Sequence, residues 1–281
     1  MKPPSRRLGV LGCGWLGLPL AARLVASGRE VVGTTTRPER LALLTAAGCE
    51  ARLLRLGHDP VGSLAAFLDG LSALVVNVPP GRNHEVEERY RRWFVQLAEA
   101  IALSGLRRVI LVSTTSVYGP TAPKRVTEQT PLCPSKAAGR AALNAERLLA
   151  EVPDLALTVL RPAGLIGPGR HPGRFLAGKT ELPDGAAPVN LVHRDDVVTA
   201  LVAILDGRSV SSTYLLAAPS HPLRHDFYPL AAARLGLAAP TFAKGNGGEG
   251  HVICADLAER ELGLRWRFPD LLATLHDPAA W

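Results

Sequence analysis

The sequence predicts an α/β fold in which a doubly wound parallel sheet carries a small C-terminal α/β lobe. Short β-branched runs alternate with longer helical patterns over the first 160 residues, and this alternation loosens after Leu160. The chain has 281 residues, which is enough to bury a core without a disulfide or a metal. We therefore predict one domain over residues 1–160. Residues 161–281 are expected to form a lobe packed on the sheet edge and partly interleaved with it.

Six strands are predicted in the first domain because each is a short run bounded by turn residues. They are 8–11, 30–34, 51–54, 73–78, 109–112 and 156–160. Apolar periodicity predicts five helices between them, at 16–27, 38–47, 64–68, 84–103 and 136–151. Glycines 28, 48, 70 and 105 follow helical segments, so we expect a left-handed C-cap at each.

The later part of the chain has a different pattern. Residues 162–188 contain eleven Gly or Pro residues, too many for regular structure, so we expect a loop that wraps a site. After this loop we predict a helix at 194–205, a strand at 213–217, and helices at 227–235 and 256–262. No internal repeat and no linker is visible.

Charge and cysteine usage exclude several classes of protein. The net charge is +7, but the basic residues are scattered, and the densest run, at 89–92, lies among glutamates, so we expect no nucleic-acid partner. Four cysteines without a CxxC pair indicate neither a zinc site nor a disulfide framework, which fits a reducing cytoplasm. The uncharged run 8–22 contains four glycines and is too short to span a bilayer. We expect a soluble cytoplasmic monomer or homodimer.

A glycine-rich loop follows the first predicted strand. It reads Gly12-Cys13-Gly14-Trp15-Leu16-Gly17 and leads directly into a helix. In such a loop the first glycine turns the chain, the second admits a pyrophosphate, and the third lets the helix pack closely. We therefore predict a Rossmann-type sheet that binds a dinucleotide through Gly12, Gly14, Trp15, Leu16 and Gly17. The alternative is a tight turn without a ligand.

The end of the second strand indicates which cofactor is bound. An NAD site expects Asp or Glu there to hold the ribose hydroxyls. This chain has Thr34, Thr35 and Thr36, followed by Arg37. A guanidinium without a competing carboxylate favours a 2′-phosphate, so we predict NADP in preference to NAD, bound through Thr34, Thr35 and Arg37. Alternatively, Arg37 is a surface residue at the start of the next helix.

Three further segments identify a family. They are STTSVYG at 113–119, RPAGLIGPG at 161–169 and VNLVHRDD at 189–196. With the glycine loop, they resemble the extended short-chain dehydrogenase/reductase superfamily, which includes nucleotide-sugar epimerases and dehydratases. More narrowly, GWLGLPLA and GLIGPGRHPGRFLAGK are similar to an atypical bacterial branch, the YeeZ-type predicted epimerases. The resemblance extends over nearly the whole chain.

The resemblance implies a chemistry that this chain does not fully match. In the superfamily a Tyr, followed four residues later by a Lys and accompanied by a Ser or Thr, exchanges a proton while hydride moves to nicotinamide. Thr114 matches the Ser/Thr position, but no tyrosine lies between Tyr118 and Tyr214. Arg140 stands near the Lys position, where it would hold the nicotinamide ribose.

Several replacements for the missing phenol remain open. Tyr118 is a candidate acid/base, although its position in the superfamily is usually structural, and Ser135 or Lys136 is an alternative. A domain with slow, altered or no redox chemistry also fits. The candidate catalytic residues are therefore Thr114, Tyr118 and Arg140.

Other candidates flank the predicted strands. Val78, Pro79, Arg82, Ser113 and Pro162 are expected to contact the cofactor, with Arg82 close to the pyrophosphate. The loop 167–175 follows the sixth strand, at the edge where such sheets bind ligands.

The expected substrate-binding residues lie in this loop and in the segment that follows it. Arg170 and Arg174 are suited to clamp a phosphate or carboxylate, with Lys179 nearby. Asn190 and His193 are candidates for the same pocket, although His193 in this type of segment more often makes a structural hydrogen bond.

Three functions fit these features. The first is an NADP-dependent oxidoreductase or epimerase that acts on a small anionic or sugar-like substrate. The second is a dinucleotide-sensing regulator without turnover, which the missing dyad favours. The third is a β-hydroxyacid dehydrogenase, but such enzymes need a long all-helical C-terminal domain. The Gly/Pro-rich tract and the strand at 213–217 argue against the third.

Overall fold

The computed structural model describes residues 7–81, 85–120, 122–243 and 250–281. The chain forms two compact units, each assembled from separate segments. The first unit comprises Met1–Val117, Pro134–Arg161 and Leu201–Thr213. The second unit comprises Tyr118–Cys133, Pro162–Ala200 and Tyr214–Trp281.

The strands of the described ranges are numbered along the chain. They are β1 (Arg7–Leu11), β2 (Glu30–Thr35), β3 (Glu50–Leu53), β4 (Ala73–Val76), β5 (Arg108–Val112), β6 (Arg125–Val126), β7 (Ala156–Pro162), β8 (Gly164–Ile166), β9 (Leu191–His193), β10 (Thr213–Leu216) and β11 (Val252–Ile253).

The helices are numbered in the same way. They are α1 (Gly17–Ala26), α2 (Leu41–Ala46), α3 (Val61–Leu68), α4 (Val86–Leu103), α5 (Ala137–Ala150), α6 (Arg194–Leu205), α7 (Arg224–Ala233), α8 (Asp256–Leu262) and α9 (Leu271–Thr274). Short 3-10 turns lie at Pro38–Arg40, Thr115–Val117, Pro172–Arg174 and Pro278–Ala280.

A seven-stranded sheet has the order β10-β7-β5-β4-β1-β2-β3. The pairs β1–β2, β1–β4, β2–β3, β4–β5 and β5–β7 are all parallel, which confirms the predicted α/β fold. The strand order reverses between β1 and β4. In sheets of this kind, ligands bind outside the carboxyl ends of the strands at such a reversal.

Helical periodicity explains how α4 packs in the first unit. Its buried residues Val86, Tyr90, Phe94, Leu97 and Ile101 are spaced three or four apart, so they form one apolar face. They belong to a core that also includes apolar residues of α3, α5 and the central strands. Strand β4 is buried at every position, as expected for a strand inside a parallel sheet.

The second unit contains short strands as well as helices. Strands β6 and β11 pair in parallel, as do β8 and β9. The carboxylate of Asp196 accepts the amides of Arg267 at 2.7 Å and Phe268 at 3.2 Å, which fixes the C-terminal segment within this unit. These strands argue against the third function, because a β-hydroxyacid dehydrogenase requires an all-helical C-terminal domain.

Most predicted elements are present with small shifts at their ends. Helix α6 has the predicted bounds, whereas α3 begins three residues before the predicted start and α7 begins at Arg224 rather than at residue 227. Glycines 28, 48 and 70 have the expected left-handed φ of 80°, 80° and 68°. The prediction for Gly105 is wrong, because α4 ends with an extended residue, Ser104.

The prediction that residues 162–188 lack regular structure is also wrong in part. Strand β8 lies within this tract and pairs with β9, and a 3-10 turn follows at Pro172–Arg174. Glycine and proline content reports local preferences, whereas the β8–β9 pairing joins segments that are distant in sequence. No helix within the described ranges is long and apolar enough to cross a membrane.

Candidate functional site

The glycine-rich loop lies between β1 and α1 and is fixed by bonds to two neighbouring strands. The amide of Gly12 donates to the Thr34 hydroxyl at 3.0 Å, and the Cys13 amide donates to the Thr34 carbonyl at 2.8 Å. The Asn77 side-chain amide donates to the Gly12 carbonyl at 3.0 Å. The ends of β2 and β4 therefore determine the path of the loop.

The three glycines of the loop differ in what a side chain would meet. Gly12 has a φ of +97°, and a Cβ there would lie 2.4 Å from the Asn77 carbonyl oxygen. A Cβ at Gly17 would lie 2.3 Å from the Gly12 carbonyl oxygen. A Cβ at Gly14 would meet no atom of the described residues within 4 Å. Packing among the described residues thus explains Gly12 and Gly17 but does not explain Gly14.

The start of α1 is suited to an anion. Its N-cap residue, Leu16, makes no side-chain capping bond, and its first turn contains no acidic residue. The leading amides of a helix are not satisfied within the helix, and the helix dipole favours negative charge there. Trp15 is half-buried and Leu16 is buried directly after Gly14.

A cavity of about 240 Å³ opens at the carboxyl ends of β1 to β4. Four of the predicted cofactor-binding residues line it, namely Gly12, Thr34, Thr35 and Val78. The remaining lining residues are Leu11, Thr36, Leu54, Arg55, Leu56, His58 and Trp93. These described lining residues include no carboxylate.

The threonines at the end of β2 organise the backbone. Thr34 is buried and uses its hydroxyl to accept the Gly12 amide. The Thr35 hydroxyl oxygen accepts the amide of Arg37 at 3.2 Å. Arg37 itself is exposed and precedes the turn Pro38–Arg40. The sequence prediction thus identified residues that shape this edge as well as residues that face the cavity.

Among the lining residues that the sequence did not predict as contacts are Arg55, His58 and Trp93. Because β3 is paired with β2 in parallel, residues just after β3 share the edge at which Thr34 and Thr35 lie. The strand pattern therefore contained a signal for Arg55 and His58. Trp93 lies in α4, and no local pattern distinguishes it from an ordinary core residue.

The loop after β4 is tied to α4. The Tyr90 hydroxyl donates to the Val78 carbonyl at 2.6 Å, and Arg89 donates to the Pro80 carbonyl at 2.9 Å. Burial raises the pKa of Tyr90, so this phenol remains a donor. Val78 faces the cavity, whereas Pro79 is exposed. Arg82 lies outside the described residues.

A buried network lies at the end of β5. Ser113 donates its hydroxyl proton to Glu146, and Arg161 donates to the same carboxylate at 2.6 Å and 3.1 Å. The side chains of Glu146 and Arg161 are each 7% exposed. The hydroxyl of Ser113, a predicted cofactor contact, therefore has a fixed donor direction. Sequence reasoning did not identify Glu146.

Two candidate catalytic residues of the first unit have partners. The Thr114 hydroxyl accepts the Ser116 amide at 3.1 Å. Arg140 forms an exposed ion pair with Glu87, 2.6 Å at the shortest distance, and donates to the Ser135 carbonyl at 2.8 Å. Hydrogen bonding to Arg140 lowers the pKa of Glu87. The orientation of Arg140 is thus set from α4.

The third catalytic candidate, Tyr118, lies in the second unit. It is buried, and its hydroxyl donates to the Thr127 carbonyl at 3.2 Å. Pro162, at the end of β7, is also buried. In this environment the Tyr118 phenol supports the backbone of a neighbouring segment.

Asn190 and His193 both bind main-chain groups. The Asn190 side chain donates to the His251 carbonyl at 2.8 Å and accepts the Ile253 amide at 2.9 Å. The buried His193 accepts the Asp195 amide through Nδ1, and its Nε2 donates to the Ala280 carbonyl. Burial lowers the pKa of His193. Both side chains position backbone segments within the second unit.

Arg170 and Arg174 lie on a loop fixed by His171. Both arginines are exposed, whereas His171 is buried, packs on Trp281 with ring centroids 4.1 Å apart, and accepts the Gly173 amide through Nδ1 at 3.0 Å. Burial, followed by the charge of Arg174, lowers the pKa of His171. A neutral His171 therefore supports a loop with cationic side chains on its exposed side.

Comparisons with known proteins indicate what this arrangement resembles. Residues 12–208 match the model of the NAD(P)H-binding family. The chain is 38% identical to Protein YeeZ of Escherichia coli over 271 residues, 95% of this chain and 98% of YeeZ.

Solved structures are similar as well. A structure of MoeE5 in complex with UDP-glucuronic acid and NAD is 25% identical, with a TM-score of 0.71 and coverage of 93% of both chains. An NAD-bound short-chain dehydrogenase/reductase superfamily protein from Agrobacterium tumefaciens has a TM-score of 0.75 at 20% identity, over 98% of this chain and 96% of that one. At that identity the likeness shows a shared fold.

The buried network allows a stability test. Replacing Glu146 by Leu should lower the free energy of unfolding by about 3–5 kcal/mol, because the Arg161 guanidinium would lose its buried counter-charge. Urea denaturation of both proteins measures this difference. The matched control is Glu87→Leu, which breaks an exposed ion pair and should cost about 1 kcal/mol or less. Equal losses in the two variants would contradict the assigned burial.

Proposed function

We propose a function from one premise, which is that this chain belongs to the NAD(P)H-binding family and is a relative of YeeZ. Its fold is that of an NAD-bound short-chain dehydrogenase/reductase superfamily protein. The protein binds NADP in preference to NAD. It acts as an oxidoreductase or epimerase on a small anionic or sugar-like substrate.

Gly14 is the observation that carries the dinucleotide assignment. Packing within the protein requires Gly12 and Gly17 but places no atom of the described residues within 4 Å of a Cβ at Gly14. A close ligand explains why a side chain is absent there, because the pyrophosphate in a GxGxxG loop approaches the second glycine. The uncapped start of α1, without an acidic residue in its first turn, supplies the complementary positive end of a helix dipole.

The adjoining cavity fits the adenosine half. It lies at the strand-order reversal, has apolar walls at Leu11, Leu54 and Leu56, and is lined by no carboxylate among the described residues. A carboxylate would bind ribose hydroxyls and repel a 2′-phosphate. Arg37, just beyond Thr36, supplies a cation at the same edge. These features support the preference for NADP.

The nicotinamide half would supply hydride transfer when bound. Ser113 and Thr114 directly follow β5, so their hydroxyl groups lie at the carboxyl edge of the sheet, where we expect the nicotinamide to bind. Glu146 fixes the Ser113 proton, so the remaining lone pairs of that oxygen are available as acceptors. An arginine remains charged near neutrality, so Arg140 serves as a fixed cation for the nicotinamide ribose and not as a proton donor.

The exposed arginines Arg170 and Arg174 support an anionic substrate. Their loop is held by the buried, neutral His171, and guanidinium groups bind carboxylates and phosphates in a bidentate manner. The similar MoeE5 was solved with UDP-glucuronic acid, an acidic sugar nucleotide. Asn190 and His193 shape this unit through their main-chain bonds.

A second candidate function is a dinucleotide-sensing regulator without turnover. The Tyr118 hydroxyl is engaged with a carbonyl, and Arg140 is engaged with Glu87. Moreover, no tyrosine lies between Tyr118 and Tyr214. The glycine-rich loop would then bind the dinucleotide, and neither Tyr118 nor Arg140 would donate a proton to a substrate.

Gly14→Asp should abolish dinucleotide binding, because it would place a carboxylate where the diphosphate approaches. Calorimetric titration with NADPH measures the effect. Thermal unfolding of Gly14→Asp is the control, since a Cβ at this position meets no atom of the described residues within 4 Å and the fold should be unchanged. Unchanged affinity in Gly14→Asp would remove the loop from the proposed site.

Arg37→Glu should weaken NADPH binding more than NADH binding, by about tenfold or more, because a charge-assisted pair with the 2′-phosphate is lost and a repulsion is introduced. Titrations with both dinucleotides give the ratio. Arg208→Glu makes the same charge change at another exposed position of the first unit and should leave the ratio unchanged. An equal loss for both dinucleotides would exclude the predicted preference.

One assay separates the enzyme from the regulator. Purified protein is incubated with NADPH and a panel of carbonyl compounds, including keto derivatives of sugar nucleotides, while the absorbance of NADPH is followed. An enzyme should oxidise NADPH with at least one substrate, and Tyr118→Phe then tests whether that phenol takes part. Tight calorimetric binding without turnover on the panel would favour the regulator.

A further inference from the structure

We propose that Gln96 is a positioning residue that sets nucleotide selectivity by holding Arg55 and His58 in the wall of the cavity. This inference rests on the proposed binding of NADP at that cavity. It adds a second group of phosphate-binding side chains, on the loop after β3. These are distinct from Arg37, which follows β2, and from the glycine-rich loop.

Gln96 uses both ends of its side-chain amide on one loop. Its carbonyl oxygen accepts the Gly57 amide at 2.8 Å, and its NH₂ group donates to the Asp59 carbonyl at 2.7 Å. The residue is half-buried on α4. Because the two bonds lie on either side of His58, they fix the backbone of the residue that faces the cavity.

The loop is also closed on itself around Arg55. The Asp59 carboxylate accepts the Arg55 amide at 2.7 Å, and the Arg55 carbonyl accepts the amides of His58 and Asp59 at 3.1 Å and 3.0 Å. These bonds define the shape of the loop. The start of the loop is bonded to β2, where the Leu54 amide donates to the Thr35 carbonyl at 3.0 Å, and Gln96 attaches the part around His58 to α4.

Trp93 brings the loop close to the same helix. Gly57 has a φ of +77°, and a Cβ there would lie 2.5 Å from the Trp93 indole nitrogen. Trp93 also lines the cavity. One face of α4 therefore contributes a wall of the cavity through Trp93 and positions another wall through Gln96.

The chemistry of the loop suits a phosphate. An arginine side chain is charged near neutrality, and the imidazole of His58 adds a further hydrogen-bond donor. The Arg55 guanidinium lies 3.5 Å from the Asp59 carboxylate and its side chain is 52% exposed, so its head can turn towards a ligand. A 2′-phosphate presents about −1.5 to −2 charges and three acceptor oxygens, whereas a ribose hydroxyl presents neither.

The test compares 2′,5′-ADP with 5′-AMP, which differ at the phosphate in question. The full chain and its Gln96→Leu variant are titrated with both nucleotides by calorimetry. Gln96→Leu should raise the Kd for 2′,5′-ADP by about tenfold, the effect expected when charge-assisted hydrogen bonds are misplaced. The Kd for 5′-AMP should change much less. The readout is the Kd for 5′-AMP divided by the Kd for 2′,5′-ADP, which Gln96→Leu should lower. A role of Gln96 in stability alone would not change this ratio.

Three further variants make the test specific. Arg55→Gln removes the guanidinium and His58→Gln removes the imidazole. Each variant should lower the same ratio. Glu99→Leu changes an exposed position one turn further along α4 and should leave it unchanged. Thermal unfolding of each variant monitors the fold, and Arg55→Gln decides the outcome should Gln96→Leu fail to fold.

The possible failures are distinguishable. If the unmodified protein binds neither adenosine nucleotide and no dinucleotide, the proposed function fails. If it binds both nucleotides but the ratio is the same in Gln96→Leu or, for an unfolded Gln96→Leu, in Arg55→Gln, only the assignment of Gln96 and its loop fails.

Discussion

The bond from the Gly12 amide to the Thr34 hydroxyl is the constraint on which the candidate site depends. With the Cys13 and Asn77 bonds, it attaches the glycine-rich loop to the two strands on either side of β1. The close contacts of Gly12 and Gly17 follow from this attachment. Both Gly14 and the start of α1 are therefore positioned by hydrogen bonds to the neighbouring strands, before any ligand is present.

The sequence was sufficient to predict the parallel sheet of the first unit, because its strands are short runs bounded by turn residues and separated by helical patterns. It also predicted the cavity residues Gly12, Thr34, Thr35 and Val78, since they lie next to strand ends. It was insufficient where the deciding contact joins distant segments. The β8–β9 pair, the Glu146 partner of Ser113 and the Gln96 bonds to Gly57 and Asp59 leave no local pattern that could have revealed them. Site roles and the preference for NADP stay predictions.

The environments of the candidate catalytic groups differ from what the superfamily pattern alone suggested. Tyr118 and His193 have the chemistry of acid/base residues, but both are buried and bonded to main-chain groups. Arg140 is oriented by Glu87 instead of standing alone. By contrast, Ser113 is connected to a buried ion pair that fixes its proton. The hydrogen bonds of the described residues thus hold the edge of the sheet beside the glycine-rich loop, and the chain has no tyrosine between Tyr118 and Tyr214.

The division of the chain also has a consequence for biosynthesis. The first unit draws its last segment, Leu201–Thr213, from beyond the first two segments of the second unit. During translation the chain emerges from its amino end, and domains generally fold as units. The first unit therefore cannot be completed when β7 leaves the ribosome. Its closure must await some fifty further residues, so the nascent protein passes through a stage in which the cofactor loop exists but its supporting unit is unfinished.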